Sequence, residues 1–540
     1  MKRPGFRIGA LVGALTAASL AGIFYAAWKL AGLAFVPFQI FDFVARVLPG
    51  PVITFGIDSM VKVIRVLGIA DTASAAKAAE QIMAILLFLA AGALAGGLFF
   101  RYLRGGKRRE VAAGGVLGLA VGICVVLLAR SLSEAPGSRT LSHVWTIAAF
   151  LVWGISLAVI HRRLAPAAIG SPPPRGEAAP PVAERLDRRR FLIRFGGATA
   201  TITVLGAVVG NLARRASRRE TDVVAGRRWS VDNPLPNAGA TLQPAPGTRP
   251  ELTPLENHYR IDISTTPPVI DPETWRLKIG GLVASPLELT LEEIRSFEAT
   301  HQFVTLACIS NPLAGSLIGT TRWSGVSFQQ LLPRLGLKPE ATHLRLRSAD
   351  KFDEIVALEK IRSDPRVLLA YDWDGVPLTA KHGFPLRIYI PDLYGMKQPK
   401  WIQSIEALDK WEPGYWVRRG WDKVAQMRAG SVIDTVSVDM MLSEANKETR
   451  IPIGGIAHAG ARGISRVEVR VDDGPWEEAR LRDPLSPLTW VLWRYDWPFR
   501  PGSHTFAVRC VDGSGDPQVP GQSPPHPSGA TGLHSKSMML

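Results

Sequence analysis

Four stretches in the first third of the chain, Ile8 to Trp28, Ile82 to Phe100, Val111 to Ala129 and Val144 to Ile160, run with almost no charge. A helix of roughly 20 apolar residues matches the thickness of a bilayer's hydrocarbon core. A helix of a soluble bundle keeps a polar stripe towards water, and these stretches have none. They therefore predict an N-terminal transmembrane α-helical bundle, with the lipid bilayer as its first partner. A fifth stretch, Phe195 to Leu212, is shorter and richer in Gly, Ala and Thr, and reads as a fifth span or an export signal.

Basic residues orient this bundle. Lys2, Arg3 and Arg7 precede the first span, the loop RYLRGGKRRE follows the second, and arginines crowd the segment after the fourth. Cytoplasmic loops carry the excess of Lys and Arg, so the N-terminus is expected inside and everything beyond about residue 213 outside. The run Arg214, Arg215, Arg218 and Arg219 just past the fifth span opposes that assignment. Asp187-Arg188-Arg189-Arg190-Phe191-Leu192 resembles a twin-arginine export signal, which carries proteins already folded and would override the charge bias. The expected location is the cell (inner) membrane, multi-pass, with the globular part on the extracytoplasmic side.

The remaining chain changes character. Overall, 47% of the 540 residues are hydrophobic, 20% are charged, and the formal net charge is +16. That apolar share excludes a disordered or nucleic-acid-coating chain despite the basic balance. Three cysteines, Cys124, Cys308 and Cys510, are too few for a disulfide-rich scaffold, and their spacing offers no local pair for a CxxC metal site. Composition shifts divide the chain into a four-span region (1–165), a Pro/Arg-rich linker (166–194) and the fifth segment (195–212). A tether (213–252), an α+β domain (253–425), a β-sandwich of immunoglobulin type (426–512) and a loose tail (513–540) follow. Thr290 and Glu293 are spaced as a capping box before a short helix over 291–297. Phe328 to Leu335 reads as another helix, stopped by Gly336. Thr342–Ser348 and Leu386–Ile390 alternate like strands, as does Arg466–Val471 ahead of the Asp472-Asp473-Gly474 turn.

One passage carries chemistry: Thr305-Leu-Ala-Cys308-Ile-Ser-Asn311, then Arg322-Trp323-Ser-Gly325, His382-Gly383-Phe-Pro385-Leu-Arg387 and Lys397-Gln398-Pro-Lys400-Trp401. A single cysteine at the end of an apolar run is most often a small buried hydrophobe. Here a glycine-punctuated loop follows it, and His, Arg and Lys gather in two later loops. One soft ligand beside a cationic bed suits a metal carried by an anionic cofactor.

Taken in this order, the Cys-x-x-Asn, Arg-Trp-x-Gly, His-Gly-x-Pro-x-Arg and Lys-Trp elements resemble the sulfite oxidase family, over roughly residues 253–420. The resemblance implies a molybdopterin-binding domain and, after it, the family's dimerisation sandwich. It implies the cofactor molybdenum–molybdopterin, with Cys308 as the protein thiolate on the metal. His382, Arg387 and Lys400 would hold the pterin and its phosphate, with Gln398 in the same loop. Ser348, Asn257 and Tyr259 would complete the cofactor contacts, while Arg260 and Arg322 would join Cys308 in the catalytic set. Family members that oxidise sulfite carry extra arginines near the metal to hold an oxyanion, whereas here Pro-Leu-Ala-Gly follows Asn311 and no arginine comes until Arg322.

The expected activity is therefore a membrane-anchored, two-electron oxygen-atom transfer on a small oxo donor or acceptor. A quinone or cytochrome would be the electron partner, and the sandwich would form a homodimer. Three other readings stay open: a methionine-sulfoxide-type reductase fed by quinol, a non-catalytic tethered binding protein, and a transporter. The last is weakened by the near absence of charge inside the spans.

Overall fold

The computed structural model describes residues 4–50, 72–105, 109–130, 139–165, 181–221, 233–439, 442–443 and 449–540, with isolated positions 52, 55, 56, 59 and 132. The chain divides into two compact units. One holds the apolar helices with Ile263–Val269; the other holds Pro49–Ala75, Val224–Asp262 and Ile270–Leu540.

In the first unit the helices are α1 (Phe6–Ala31), α2 (Val36–Val47), α3 (Thr72–Leu103), α4 (Glu110–Ala129), α5 (Arg139–Leu164) and α6 (Pro181–Thr221). Among the described residues, five helices are long and apolar enough to cross a membrane: α1, α4, α5, Ala75–Leu103 of α3 and Ile193–Leu212 of α6. Glycines set their contacts. A Cβ on Gly13 would lie 2.2 Å from the Gly92 carbonyl oxygen, one on Gly206 2.4 Å from that of Gly22, and one on Gly114 2.4 Å from that of Gly154. Backbones that approach so closely need small residues at the crossing, the usual device of helix pairs in apolar surroundings. Trp153 Nε1 donates to Thr16 Oγ1 at 3.0 Å between α5 and α1.

The linker expected over 166–194 is corrected at its end, because α6 starts at Pro181 and runs unbroken into the fifth segment. Proline suits a first helical turn, where its missing N–H costs nothing. Residues 166–180 and most of the tether's first half lie outside the described residues. So do the side chains of Arg188 and Arg189 of the export-like motif.

The second unit contains three sheets. In the first, β1 (Leu277–Gly281) and β2 (Leu287–Leu289) join β5 (His343–Ser348), β6 (Asp353–Ala357) and β10 (Ile402–Leu408) in the order β2-β1-β10-β5-β6. On β5, Leu344, Leu346 and Ser348 are buried, as the alternation predicts, and His343, Arg345 and Arg347 face away. The capping box forms as expected: Thr290 Oγ1 accepts from Glu293 N at 3.0 Å, and the Glu293 carboxylate accepts from Thr290 N at 2.7 Å, starting α7 (Leu291–Arg295). The helix expected over 328–335 is instead a 3-10 turn, Phe328–Gln330, and a short α8 (Leu332–Leu335). Pro333 lies in the first turn of α8, and Gly336 closes it in the left-handed region at φ +55°.

The second sheet positions the site. It pairs β3 (Ala299–Ala307), β4 (Ile318–Ser327), β7 (Leu368–Trp373) and β8 (Val376–Pro377), with β9 (Arg387–Tyr389) on the other edge of β7. β3 and β4 align antiparallel along their length, from Ala299 opposite Val326 to Ala307 opposite Ile318. Cys308 therefore emerges at the end of a strand held rigid on one side.

The third sheet is wholly β. Its strands are β11 (Gly430–Val436), β12 (Leu442–Ser443), β13 (Thr449–His458), β14 (Ile464–Val471), β15 (Glu477–Leu481), β16 (Val491–Pro498), β17 (Ser503–Asp512) and β18 (His534–Met539). All but β12, which pairs with β13, form one hydrogen-bonded path, β11-β13-β16-β15-β14-β17-β18, packed around Ile433, Ile451, Ile453, Trp493, Val467, Phe506 and Val508. The loose tail expected over 513–540 is corrected: β18 pairs with β17 from Ser503–Met539 to Val508–His534. Gln518 is buried and accepts hydrogen bonds from Ser431 Oγ at 2.6 Å and Cys510 N at 3.1 Å. β18 reads HSKSMM, half polar and half-buried, so hydrophobic alternation does not betray it.

Candidate active site

Cys308 is fixed by its own loop. Its N–H donates to Leu317 O at 2.9 Å, its carbonyl accepts from Asn311 N at 3.0 Å, and Asn311 Oδ1 accepts from Leu317 N at 2.9 Å. The Cys-x-x-Asn spacing thus builds a closed loop, with Asn311 as its clasp. The thiol is 7% exposed and lies 3.1 Å from Ser310 Oγ. Burial raises its pKa, while Ser310 and the charge on Lys400 pull it down.

A cationic cradle faces it. His382 closes a 3-10 turn, Arg387 opens β9, and Lys400 follows on the next loop. Gly383 brings the three together: its φ is +114°, and a Cβ there would meet Arg387 Cβ at 3.1 Å and Lys400 Cβ at 3.2 Å. Arg387 Nη1 donates to His382 O at 3.1 Å, and its guanidinium carbon sits 4.6 Å from the Trp323 ring centre. The aromatic wall continues through His382, 4.4 Å from Trp373, and His258, 5.6 Å from Trp373. Tyr259 stacks on His258 at 5.4 Å.

Burial dominates the electrostatics. It lowers Arg387 to about 10 and Lys400 to about 8, with Asp262 opposing the fall of Lys400. It lowers His258 to about 4 and His382 well below its ordinary value, and the neighbouring cations push both the same way. Both imidazoles are therefore neutral near pH 7, and the positive charge rests on Arg and Lys. Several buried polar atoms in and around this cradle have no hydrogen-bond partner among the described residues: His258 Nε2, Ser348 Oγ, Arg387 Nε, Gln398 Oε1, Trp323 Nε1 and Trp373 Nε1. Buried polar atoms are normally paired, so this concentration of open donors and acceptors marks a place built for a polar ligand.

The expected residues do not all converge. Cys308, Tyr259, Ser348, His382, Arg387 and Lys400 line or adjoin the cradle. Asn257 is exposed, and its neighbour His258 takes the buried place. Arg260 is held by Asp262 through bonds of 2.7 and 3.1 Å. Arg322 alternates on β4 with Trp323, so the tryptophan faces Arg387 and the arginine lies on the opposite face. Gln398 Nε2 donates to Leu393 O at 2.7 Å and Ile390 O at 3.3 Å, bracing the loop before Lys400. Sequence reasoning missed His258, Trp373 and Asp262. His258 was adjacent to two chosen residues; the other two belong to no motif. Beside the Cys308 loop, Asn311, Leu313, Tyr394, Arg249, Arg428 and His458 line a pocket.

The profile of the oxidoreductase molybdopterin binding domain matches residues 264–416. That stretch holds the cysteine loop with His382, Arg387 and Lys400, and His258 and Tyr259 lie just before it. Residues 264–416 are thus a molybdopterin-binding oxidoreductase domain of the kind found in sulfite oxidases. The chain is 26% identical over 302 residues to sulfite oxidase of Gallus gallus, covering 46% of this chain and 64% of that protein. It is 27% identical over 324 residues to the nitrate reductase [NAD(P)H] of Hordeum vulgare, covering 48% and 36%. The alignments span about half to two thirds of the length of the animal sulfite oxidases it matches. The crystal structure of the sulfane dehydrogenase SoxCD from Paracoccus pantotrophus aligns at a TM-score of 0.46 and 22% identity, covering 58% of this chain and 88% of that one.

The cradle suits the cofactor that defines this domain. A phosphate-bearing pterin needs fixed cations, neutral donors and acceptors for its ring edges, and one soft ligand for its metal. Arg387 and Lys400, the open atoms of His258 and Ser348, and Cys308 supply those three classes.

Proposed function

We propose that this chain is a membrane-anchored molybdenum–molybdopterin oxidoreductase that catalyses two-electron oxygen-atom transfer on a small substrate outside the cytoplasmic membrane. The observation that carries the reading is the buried thiol of Cys308 at the edge of a buried Arg387–Lys400 cradle whose polar atoms include several without a partner among the described residues. Among the described residues no cluster of three or more His, Cys, Asp or Glu could hold a metal alone. A metal here would depend on Cys308 and on ligands brought by the cofactor. When bound, the molybdenum pterin supplies the oxygen-atom transfer itself.

The residues do the rest. Cys308 would bind the metal as thiolate, the metal's charge overcoming the rise that burial gives its pKa. Arg387 offers a fork and Lys400 a point charge to the phosphate. Neutral His258 and His382 can donate or accept along the ring edge without adding charge. Trp323 and Trp373 exclude water behind them. The pocket beside the cysteine loop offers the substrate Arg428, Arg249 and His458. Arg249 is largely neutralised by Asp434, at 2.6 Å.

The five apolar helices support anchoring in the cell membrane, with the basic loops inside and the twin-arginine-like motif directing export. A quinone or cytochrome would exchange electrons with the domain, and the C-terminal sheet, read as an immunoglobulin-like sandwich, would pair two copies. The test is metal and pterin analysis of the full chain purified in detergent, with an oxygen-transfer assay, beside Cys308→Ala. Molybdenum and pterin in the wild type, with activity lost in the variant, support the reading. Equal activity in both, or a wild type without molybdenum, defeats it.

A further inference from the structure

Asp262 lies outside every motif that marks this site, yet it bridges the cradle's Lys400 and the neighbouring Arg260. Lys400 Nζ is 3.0 Å from Asp262 Oδ2, and Arg260 donates to both carboxylate oxygens, from Nε at 2.7 Å and Nη2 at 3.1 Å. The Asp262 side chain is only 2% exposed and that of Lys400 11%. Lys400 Nζ also donates to Lys381 O at 3.2 Å, so carboxylate and carbonyl together fix where the ammonium points. The other ionisable groups acting on or near Lys400 are Arg260, Arg387, His258, His382 and the thiol of Cys308. Two are cations, two are neutral imidazoles and one is a thiol, and Asp262 is the carboxylate that meets Lys400.

We propose that Asp262 is a positioning residue of the cofactor site: it keeps Lys400 protonated and aimed at the cofactor's phosphate. The proposal rests on the molybdopterin reading of the cradle. A lysine serves a phosphate only as ammonium, and taking an ammonium out of water beside two guanidinium groups favours the neutral amine. A buried carboxylate in contact opposes that loss. Burial, Arg260 and Arg387 all lower Lys400, and Asp262 is the contact that raises it. Without it, Lys400 titrates at lower pH and the phosphate loses its point charge there.

The test is retention of pterin by the full-length holoprotein in detergent, followed by fluorescence of the released pterin across about pH 6 to 9. Wild type, Asp262→Asn and Asp262→Glu are compared. Asp262→Asn is expected to release half its pterin at a pH about one unit or more below the wild type, and Asp262→Glu to restore the wild-type curve. A role as a mere strut predicts a loss that is equal at every pH, and that result overturns the proposal. So do coincident curves for wild type and Asp262→Asn, which leave the molybdopterin reading standing. A wild-type protein that carries no pterin removes that reading, and the role of Asp262 with it.

Discussion

Replacing Gly383 with alanine adds one methyl group at the point where the cradle is assembled. Two costs follow. The backbone there has φ +114°, a region that residues with a Cβ rarely enter, and holding one there costs roughly 1–3 kcal/mol. The new Cβ would also press on Arg387 Cβ at 3.1 Å and on Lys400 Cβ and Cγ at 3.2 and 3.3 Å. Those are the stems of the two cations proposed to hold the phosphate, and relieving such overpacking costs about 1–3 kcal/mol more. The sum is on the order of 2–6 kcal/mol, about a thousandfold in the folded-to-unfolded ratio near its middle. Gly280→Ala is the control, since nothing lies within 4 Å of a Cβ there and its φ is not in the left-handed range. It should be neutral or stabilise by roughly 0.4–1 kcal/mol. The assay is denaturant unfolding of both variants in detergent, with pterin content of the purified proteins. Gly383→Ala should unfold at lower denaturant and carry much less pterin, while Gly280→Ala should match the wild type. A Gly383→Ala protein as stable and as fully loaded as the control refutes the claim that this glycine brings the cations together.

Three further outcomes are expected. His258 and His458 both fall to about 4 through burial, below the value near 6.5 of an unfolded chain. The unfolded state therefore takes up protons that the folded state refuses. The stability each contributes is present above about pH 6.5 and is lost towards pH 4, at roughly 1.4 kcal/mol per pH unit. His458→Gln should flatten unfolding midpoints measured from pH 7 to 4.5 by about one proton, and an unchanged slope counts against the assignment. Lys397 and Glu354 form a buried ion pair at 2.7 Å, exposed 2% and 0%. Lys397→Met should cost about 3–5 kcal/mol in chemical unfolding, and Lys397→Met with Glu354→Leu should recover most of it; a single variant as stable as wild type speaks against a strongly coupled pair. The full chain should remain in the membrane pellet after alkaline carbonate extraction, and its appearance in the supernatant removes the anchoring proposal.

What could be read in the sequence depended on whether the signal was local. The apolar runs were legible because length and absence of charge act within one helix, and α1, α3, α4 and α5 all contain the stretches chosen. The capping box at Thr290 and Glu293 was legible for the same reason. The helix over 328–335 was broken by Pro333, a local effect outweighed in the reading by the surrounding leucines. β18 escaped because it lies on β17 as a half-exposed strand, so pairing rather than burial defines it. At the site, Cys308, His382, Arg387 and Lys400 stood in compact motifs. Trp373 and Asp262 reach the cradle through folding alone, from β7 and from the loop after Tyr259, and no spacing announces them. Arg322 was chosen from its motif, but strand alternation gives its neighbour Trp323 the inward place.

The central claim is that the Cys308 sulfur is a ligand of molybdenum held by the Arg387–Lys400 cradle. Molybdenum X-ray absorption on the purified full chain, beside Cys308→Ala, tests it most directly by counting sulfur neighbours of the metal. The account predicts one sulfur fewer around molybdenum in the variant, with the remaining sulfurs at unchanged distances. The same sulfur shell in both proteins would contradict it.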